Sequence, residues 1–156
     1  MSNLWNCCLI KDLPYARQAI ERGADVNYRK NGSTCLMLAV SSKNKELVSL
    51  LLEQPGIDVN ANDMFGYRAL HMAAGRLSSP AIIRLLLDFP GIDREVHNRE
   101  GRTPLMESIV YGSASQFAEF LKTPEILLND VRLPGFLETR PQMKIMFAKE
   151  QRKREN

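Results

Sequence analysis

A short phrase centred on glycine occurs three times in this chain at almost constant spacing. Its copies lie at residues 31–36, 65–70 and 100–105, and their glycines are 34 and 35 residues apart. A second phrase, at residues 23–27, 56–60 and 91–95, runs out of phase with the first, with glycines 33 and 35 residues apart. A sequence period in the low thirties is typical of stacked supersecondary units. The chain is therefore expected to fold as a solenoid of such units.

Length and composition are those of an ordinary globular domain. The 156 residues fit one domain, of which 44% are hydrophobic and 25% charged. No apolar run approaches the roughly 20 residues that a membrane helix needs, and the N-terminal residues contain no secretory signal pattern. Three cysteines without framework spacing favour a reducing interior. We therefore predict a cytoplasmic protein without membrane contact, with the nucleus as an alternative, or the host-cell cytosol if the chain is a secreted effector.

Residues 64–98 show how one unit is built. Gly66 follows a polar stretch, as a tight turn requires, and residues 69–75 contain the small alanines of a closely packed first helix. Ser79 and Pro80 signal the start of a second helix, because serine caps free N–H groups and proline suits the first helical position. An apolar stripe at helical spacing follows, formed by Ile82, Ile83, Leu86 and Leu87.

The neighbouring units repeat this pattern. Asn44 is the predicted cap of the second helix in the preceding unit, and residues 117–121 carry the last full stripe. A single helix pair cannot bury its apolar face on both sides, so stacking is expected to supply the core. The preceding unit's stripe consists of Leu47, Val48, Leu51 and Leu52.

The pattern resembles the ankyrin repeat, a unit of a β-turn and two antiparallel helices whose first helix starts at a Thr-Pro-Leu-His turn. Residues 103–105 keep Thr-Pro-Leu, residues 70–71 keep Leu-His, and residues 34–36 keep the Thr and the Leu. Residues 23–27 carry the family's hairpin phrase Gly-Ala-Asp-Val-Asn unaltered. The resemblance covers roughly residues 4–130. It implies an all-α ankyrin-repeat solenoid of helix–turn–helix units joined by β-hairpin loops.

The resemblance divides the chain into about four repeats and a non-repeating end. We place the repeats at approximately 1–30, 31–63, 64–98 and 99–130, and a C-terminal cap with a basic tail at 131–156. Residues 139–141 have the composition of a helix start, and apolar residues follow them. We therefore predict a C-terminal capping helix that ends in a frayed basic tail.

Positive charge is concentrated in this last segment. The net charge is +3, yet residues 140–156 hold six basic and two acidic side chains, which leaves −1 for the rest of the chain. Such a segment is compatible with nucleic-acid binding or nuclear import. The plainer interpretation is a solvated helix end whose cations suit the helix dipole. We favour it, and keep association with nucleic acid through the tail as the alternative function.

No pattern predicts catalysis, a cofactor or a metal site. His71 and His97 belong to separate parts of the repeat, whereas a metal site needs clustered ligands. Cys7 and Cys8 occupy a small-residue packing position. Cys35 lies at a turn position that could leave it partly exposed, but no adjacent base is evident. The sequence therefore predicts that the protein is not an enzyme.

The resemblance places protein binding on the hairpin tips and on the exposed side of the first helices, which form the concave face. Met64, Phe65 and Tyr67 stand out, because turns normally take small polar residues and exposed apolar clusters mark interaction sites. Basic residues flank them, so the predicted partner is a protein with an apolar surface flanked by acidic residues. The alternative is that Phe65 packs on a neighbouring hairpin. The predicted binding residues are Arg29, Lys30, Ser33, Met64, Phe65, Tyr67, Arg76, Arg99, Arg102 and Tyr111.

Two further expectations concern modification and assembly. Asparaginyl hydroxylases act on ankyrin hairpin asparagines of the Asp-Val-Asn type, so the resemblance implies Asn60 as the first candidate and Asn27 as the second. Short arrays of this kind are usually monomeric. We predict a monomer, with a symmetric dimer through the aromatic patch as the alternative.

Overall fold

Helix–turn–helix pairs stack along most of the chain, and one longer helix follows them. The computed structural model describes residues 4–75, 78–124, 126, 128 and 140–155. The helices are α1 (Leu4–Ile10), α2 (Leu13–Glu21), α3 (Cys35–Ser41), α4 (Lys45–Leu52), α5 (Ala69–Ala74), α6 (Pro80–Leu87), α7 (Pro104–Val110), α8 (Ala114–Leu121) and α9 (Pro141–Glu155). In the part of the chain that the structure describes, β1 (Arg29–Lys30) and β2 (Ser33–Thr34) are the only strands, and they pair antiparallel. The predicted all-α solenoid is confirmed.

The first helices of successive units contact one another, and so do the second helices. The series α1, α3, α5, α7 forms one layer and the series α2, α4, α6, α8 forms the other. The predicted apolar stripes are buried between them, apart from Leu52, which is half-buried. Phe117 and Phe120 are fully buried in the last pair. Each unit therefore covers the apolar face of the next, as repeat stacking requires.

Side-chain caps start several of these helices. The Asn44 carboxamide accepts the backbone N–H of Leu47 at 3.0 Å, so the predicted cap is confirmed. Ser79 was predicted to cap α6 in the same way, and this is wrong: its side chain makes no capping bond. The N–H of Ile82 donates instead to the backbone carbonyl of Ser79 at 3.0 Å. Pro80 does occupy the start of the helix, where its fixed φ is favourable.

Two asparagine side chains link successive hairpins. We define the first hairpin as residues 23–34, the second as 56–68 and the third as 91–103. Each of these asparagines donates its amide to a glycine carbonyl of the next hairpin and accepts a backbone N–H two residues further on. The pairs are Asn27 with Gly56 (2.8 Å) and Asp58 (2.8 Å), and Asn60 with Gly91 (2.8 Å) and Asp93 (2.9 Å).

Helix α9 covers the end of the array through apolar contacts. Met143 is buried, and the ring of Phe147 stacks on Phe117 with 6.5 Å between ring centroids. At its start, the Arg140 guanidinium donates to the carbonyls of Val110 and Gly112 at the end of α7. None of the described helices has the length and apolarity needed to cross a bilayer.

The predicted frayed tail is wrong for residues up to 155, because α9 continues as a helix to Glu155. Near its end, Arg154 donates to four backbone carbonyls around the C-terminus of α8. The last carbonyls of a helix have no intrahelical partner, so a guanidinium satisfies them and complements the helix dipole. The acceptors are the carbonyls of Leu121 (3.1 Å), Thr123 (3.0 Å), Pro124 (3.2 Å) and Ile126 (2.7 Å).

Candidate functional site

A cavity of about 380 Å³ opens beside the second hairpin and is bounded by α5 and α7. Three of the predicted binding residues line it, and they come from two consecutive units. We call this cavity the aromatic groove. The described residues that line it are Asp63, Phe65, Tyr67, His71, Met72, Gly75, Glu107 and Tyr111.

The turn that carries Phe65 and Tyr67 is held by one carboxylate oxygen. Asp63 Oδ1 accepts the backbone N–H groups of Phe65 (2.9 Å) and Tyr67 (2.8 Å). Gly66 completes the turn with φ +79°, a conformation that favours glycine. The carbonyl of Phe65 then accepts the N–H of Arg99 at 3.0 Å, which joins the second hairpin to the third. The tip is therefore fixed in place without any ligand.

The third hairpin repeats this turn with a neutral residue. Asn98 Oδ1 accepts the N–H groups of Glu100 (2.9 Å) and Arg102 (3.0 Å), in the same arrangement as Asp63 one unit earlier. Asn98 is 5% exposed. An amide oxygen and a carboxylate oxygen thus perform the same structural task in two successive turns.

Met64 and Phe65 are exposed at the tip of the second hairpin. Their exposed fractions are 53% and 59%. The side chain of Met64 lies beside Gly32 of the first hairpin, close enough that a methyl group on Gly32 would be 3.8 Å from the Met64 methyl carbon. The alternative that Phe65 packs away on a neighbouring hairpin does not fit this exposure. Large exposed apolar side chains on a rigid turn can serve as anchors for a partner.

Tyr67 differs from its two neighbours, because its hydroxyl enters a polar network. It lies 3.1 Å from Glu100 Oε1 and 3.2 Å from Glu107 Oε1. The sequence grouped Tyr67 with Met64 and Phe65 as one exposed apolar cluster, and for Tyr67 that grouping is wrong. The side chain is half-buried, and burial together with the Glu107 carboxylate raises the pKa of Tyr67 above its ordinary value.

Glu107 is the centre of this network and is only 2% exposed. Besides the Tyr67 hydroxyl, its Oε1 accepts the side-chain amide of Asn98 (2.9 Å) and the Arg102 guanidinium (3.0 Å). Arg102 also forms an ion pair with Glu100. A buried carboxylate is tolerated when it is paired and hydrogen-bonded in this way.

His71 forms the floor of the groove beside Tyr67 and is 1% exposed. Its Nδ1 accepts the backbone N–H of Arg68 (3.3 Å), so its Nε2 carries the proton and donates to the carbonyl of Arg102 (3.0 Å). Burial lowers the pKa of His71 to about 4, so the ring is neutral at pH 7. His71 therefore connects two units and adds no charge to the groove.

The basic residues predicted to flank the exposed cluster, which we call the basic rim, are only partly free to contact a partner. Arg102 is one of the predicted binding residues, but its side chain is only 15% exposed and is paired with Glu100 and Glu107. Arg29 donates to the backbone carbonyls of Gly32 and Asn62, which are neutral acceptors.

The remaining predicted residues lie in several places. Lys30 is exposed, with its ammonium 4.7 Å from the ring centroid of Trp5. Arg99 is exposed at the third hairpin, whereas Ser33 is half-buried in β2. Tyr111, 41% exposed, closes one side of the aromatic groove. Arg76 lies outside the described residues.

The cysteines are part of the core. Cys7, Cys8 and Cys35 are all buried, so the expectation that Cys35 would be partly exposed is wrong. Contact with the Cys35 thiol and burial raise the pKa of Cys8, which disfavours its thiolate. Within the described ranges, no group of three or more His, Cys, Asp or Glu side chains could hold a metal ion.

Sequence reasoning missed the acidic lining of the groove. Glu107 and Met72 occupy equivalent positions on the first helices of consecutive units, 35 residues apart, and both line the cavity. The sequence does show a carboxylate, Glu107, where the preceding unit has the apolar Met72, and this difference could have indicated the acidic lining. Asp63 is a second such signal, because its place at the start of the turn is typical of a side chain that accepts backbone N–H groups.

Comparisons with known proteins agree with this architecture. A sequence model described as Ankyrin repeats (3 copies) matches residues 2–63 and 56–130. Rabankyrin-5 of Mus musculus is 34% identical over 119 residues, which cover 74% of this chain and 10% of that protein. The B-cell lymphoma 3 protein homolog of Mus musculus is 36% identical over 64% of this chain and 23% of its own length. Protein phosphatase 1 regulatory subunit 12A of Mus musculus is 37% identical over 56% of this chain. The chain therefore spans less than a quarter of the length of these relatives.

Proposed function

Because the chain belongs to the ankyrin repeat family, we propose that it is a protein-binding module whose partner docks in the aromatic groove. The observation that carries this proposal is the convergence of Phe65, Tyr67 and Tyr111 on one cavity from two consecutive units. Aromatic side chains are enriched among the residues that dominate binding energy at protein interfaces. A cavity walled by three of them is therefore a suitable seat for the apolar part of a partner's side chain.

The groove is well suited to binding because its walls are already in position. The turn that carries Phe65 is held by Asp63 and is joined to Arg99 of the next hairpin. A site that is ordered before binding loses little conformational entropy when the partner arrives. Phe65 is the best single anchor, since it is the most exposed aromatic side chain among those lining the groove.

We propose that the partner is another protein. The chain binds it as a monomer and catalyses no reaction. Acidic residues flanking its apolar surface would lie against the basic side chains of Arg29 and Lys30, which are exposed on the first hairpin. One relative is a regulatory subunit of protein phosphatase 1 by its name, and a regulatory role would suit a chain of this kind. Electrostatic complementarity of this sort contributes to association rate and specificity more than to affinity.

Affinity capture from cell lysate with mass-spectrometric identification tests the proposal. The wild-type chain is compared with a double variant, Phe65→Ala with Tyr111→Ala, and with a matched control, Tyr15→Ala. Tyr15 is 56% exposed on α2 and does not line the groove. A partner captured by the wild type and the control but not by the double variant supports the proposal, and its affinity should fall by a factor of about 30 or more on loss of a hot-spot anchor. Equal capture by all three chains would contradict it.

A second candidate is association with nucleic acid through α9. Four basic side chains are exposed on one face of this helix, opposite the face that packs on α8, and they are Lys144, Lys149, Arg152 and Lys153. Binding of a fluorescein-labelled single-stranded RNA would then weaken steeply with salt, because neutralised phosphates release counterions. Charge reversal by Lys149→Glu with Lys153→Glu should abolish it. Binding that survives this double variant would exclude α9 as the site.

Asn60 is proposed as a site of asparaginyl hydroxylation, with Asn27 second. Both carboxamides are engaged in bridges to the next hairpin, so access by a hydroxylase requires local opening. Mass spectrometry of the Asn60 peptide, after incubation with an asparaginyl hydroxylase and its cosubstrates, tests this. An addition of one oxygen to Asn60 is the expected result, and an unchanged mass contradicts it.

A further inference from the structure

We propose that the aromatic groove selects a partner segment whose inserted side chain is lysine or arginine, with the cation directed at Asp63. This inference rests on the proposed function and deepens it by naming the chemistry of the anchor. It complements the acidic flanks expected near Arg29 and Lys30, because the two charge preferences concern different parts of the concave face.

The first argument is the charge that lines the groove. Among the described residues that line the groove, Asp63 and Glu107 are acidic and none is lysine or arginine, while the ring of the buried His71 is neutral. Glu100 lies beside them, within hydrogen-bond distance of the Tyr67 hydroxyl. Arg102 is the one cation in the described structure that pairs with Glu100 and Glu107. Among these four described side chains, three carboxylates and one guanidinium leave an excess of negative charge.

The second argument is that the structure of the turn does not require the charge of Asp63. Asn98 holds the equivalent turn with a neutral carboxamide and the same pair of backbone bonds. At Asp63, Oδ1 alone accepts both backbone N–H groups. No donor to Oδ2 is found among the described residues. A carboxylate oxygen beside a cavity is thus left available for a donor from outside the chain.

The third argument is the chemistry of the walls. A lysine or arginine side chain is apolar along its stem and charged at its end, so the stem can pack on rings while the cation reaches an acid. Cations are also attracted to the faces of aromatic rings. The chain itself shows this at the edge of the groove, where the Arg102 guanidinium carbon lies 5.3 Å from the ring centroid of Tyr111. A partner carboxylate placed in the same cavity would instead face Asp63 and Glu107.

Titration followed by ¹⁵N–¹H NMR tests the inference with three small probes. These are the N-acetyl methylamides of lysine, norleucine and glutamate, which differ mainly in the charge of the side chain. We expect the lysine probe to shift the amide signals of Phe65, Tyr67 and Tyr111, and to bind at least about threefold more tightly than norleucine, since a cation–aromatic contact adds to the attraction of the carboxylates. The glutamate probe should not bind in the groove.

Two variants distinguish the effect of the Asp63 charge on lysine binding from the effect of the net charge of the chain. Asp63→Asn should reduce the preference for lysine over norleucine by about threefold and leave norleucine binding unchanged, because the Asn98 turn shows that asparagine suits this position. Asp88→Asn changes the net charge equally at a side chain that is 63% exposed on a different part of the surface. It should keep the wild-type preference.

Several results would overturn the inference. They are equal binding of lysine and norleucine, tighter binding of glutamate, equal behaviour of the two variants, and no binding of any probe up to its solubility limit. The proposed function is judged separately by partner capture. If the Phe65→Ala with Tyr111→Ala variant loses its partner while the groove shows no preference for lysine, the protein-binding role stands and the cationic anchor is wrong.

Discussion

The side-chain oxygen of Asn60 accepts the backbone N–H of Asp93 at 2.9 Å, which fixes the second hairpin to the third. The same carboxamide donates to the carbonyl of Gly91 at 2.8 Å. Asn60→Ala leaves both backbone groups without their partner, so we expect a loss of about 1–3 kcal/mol in the free energy of unfolding. Urea denaturation followed by circular dichroism measures it.

Asn62→Ala is the matched control for this change. Asn62 is exposed, and its side-chain amide donates to the carbonyl of the adjacent Asp63. We expect an effect within about 0.5 kcal/mol, as for most surface substitutions. Equal effects of the two substitutions would mean that the bridge between hairpins does not contribute to stability.

Arg154 is expected to stabilise the array from its C-terminal end. Arg154→Met keeps the apolar stem and removes the donors to the carbonyls around the end of α8. We expect a loss of about 1–3 kcal/mol, because hydrogen bonds from a charged group to otherwise unpaired carbonyls are lost. Lys149→Met, at an exposed position of the same helix, should change the free energy of unfolding by less than about 0.5 kcal/mol. The idea fails if both variants unfold at the same urea concentration.

Stability should fall as the pH is lowered through the titration range of His71. Its pKa of about 4 in the folded chain lies below the ordinary value of 6.5, so the unfolded chain takes up the proton first. The free energy of unfolding therefore decreases from about pH 6.5 and continues to decrease until about pH 4, with a loss of about 2 kcal/mol between pH 7 and pH 5. Urea denaturation at half-unit pH intervals measures this slope.

Two histidine variants identify the source of the slope. His71→Gln keeps a side-chain donor and acceptor but cannot titrate, so most of the decrease above pH 5 should disappear. His97 is exposed, and His97→Gln should keep the wild-type slope. A slope that persists in His71→Gln would assign it to other groups.

Tyr67→Phe should affect stability while keeping the wall of the groove. The substitution removes the hydroxyl that lies 3.2 Å from the buried Glu107 carboxylate. We expect a loss of about 1 kcal/mol in the free energy of unfolding, the usual cost of one hydrogen bond. Tyr111→Phe, at a more exposed ring, should cost less than about 0.5 kcal/mol. Identical thermal unfolding of Tyr67→Phe and the wild type would contradict the network.

The repeats and their caps were predictable because their signals are local and periodic. The Asn44 cap depends on a bond to a residue three positions away, and the apolar stripes depend on helical spacing. Ser79 shows the limit of local signals. Its hydroxyl was expected to accept a backbone N–H, but the N–H of Ile82 donates to the backbone carbonyl of Ser79 instead.

The site was only partly predictable, because its polar contacts are long-range. Exposure of Met64 and Phe65 followed from apolar residues at a turn. The pairing of Tyr67 with Glu107 joins residues 40 positions apart, and Arg154 reaches Leu121, 33 positions away. A single sequence shows the charge of such residues but not which groups lie opposite them after stacking. The basic rim was therefore overestimated, and the acidic lining was missed.

The aromatic groove has one wall on each of two stacked units, and this has a mechanical consequence. Its width follows the small rotation between those units, and that rotation also sets the curvature of a solenoid. A partner bound in the groove would contact both units and restrict the rotation between them. It would therefore favour one curvature of the whole array. The partner's affinity should therefore respond to core substitutions that change the stacking angle, even at positions that it does not touch.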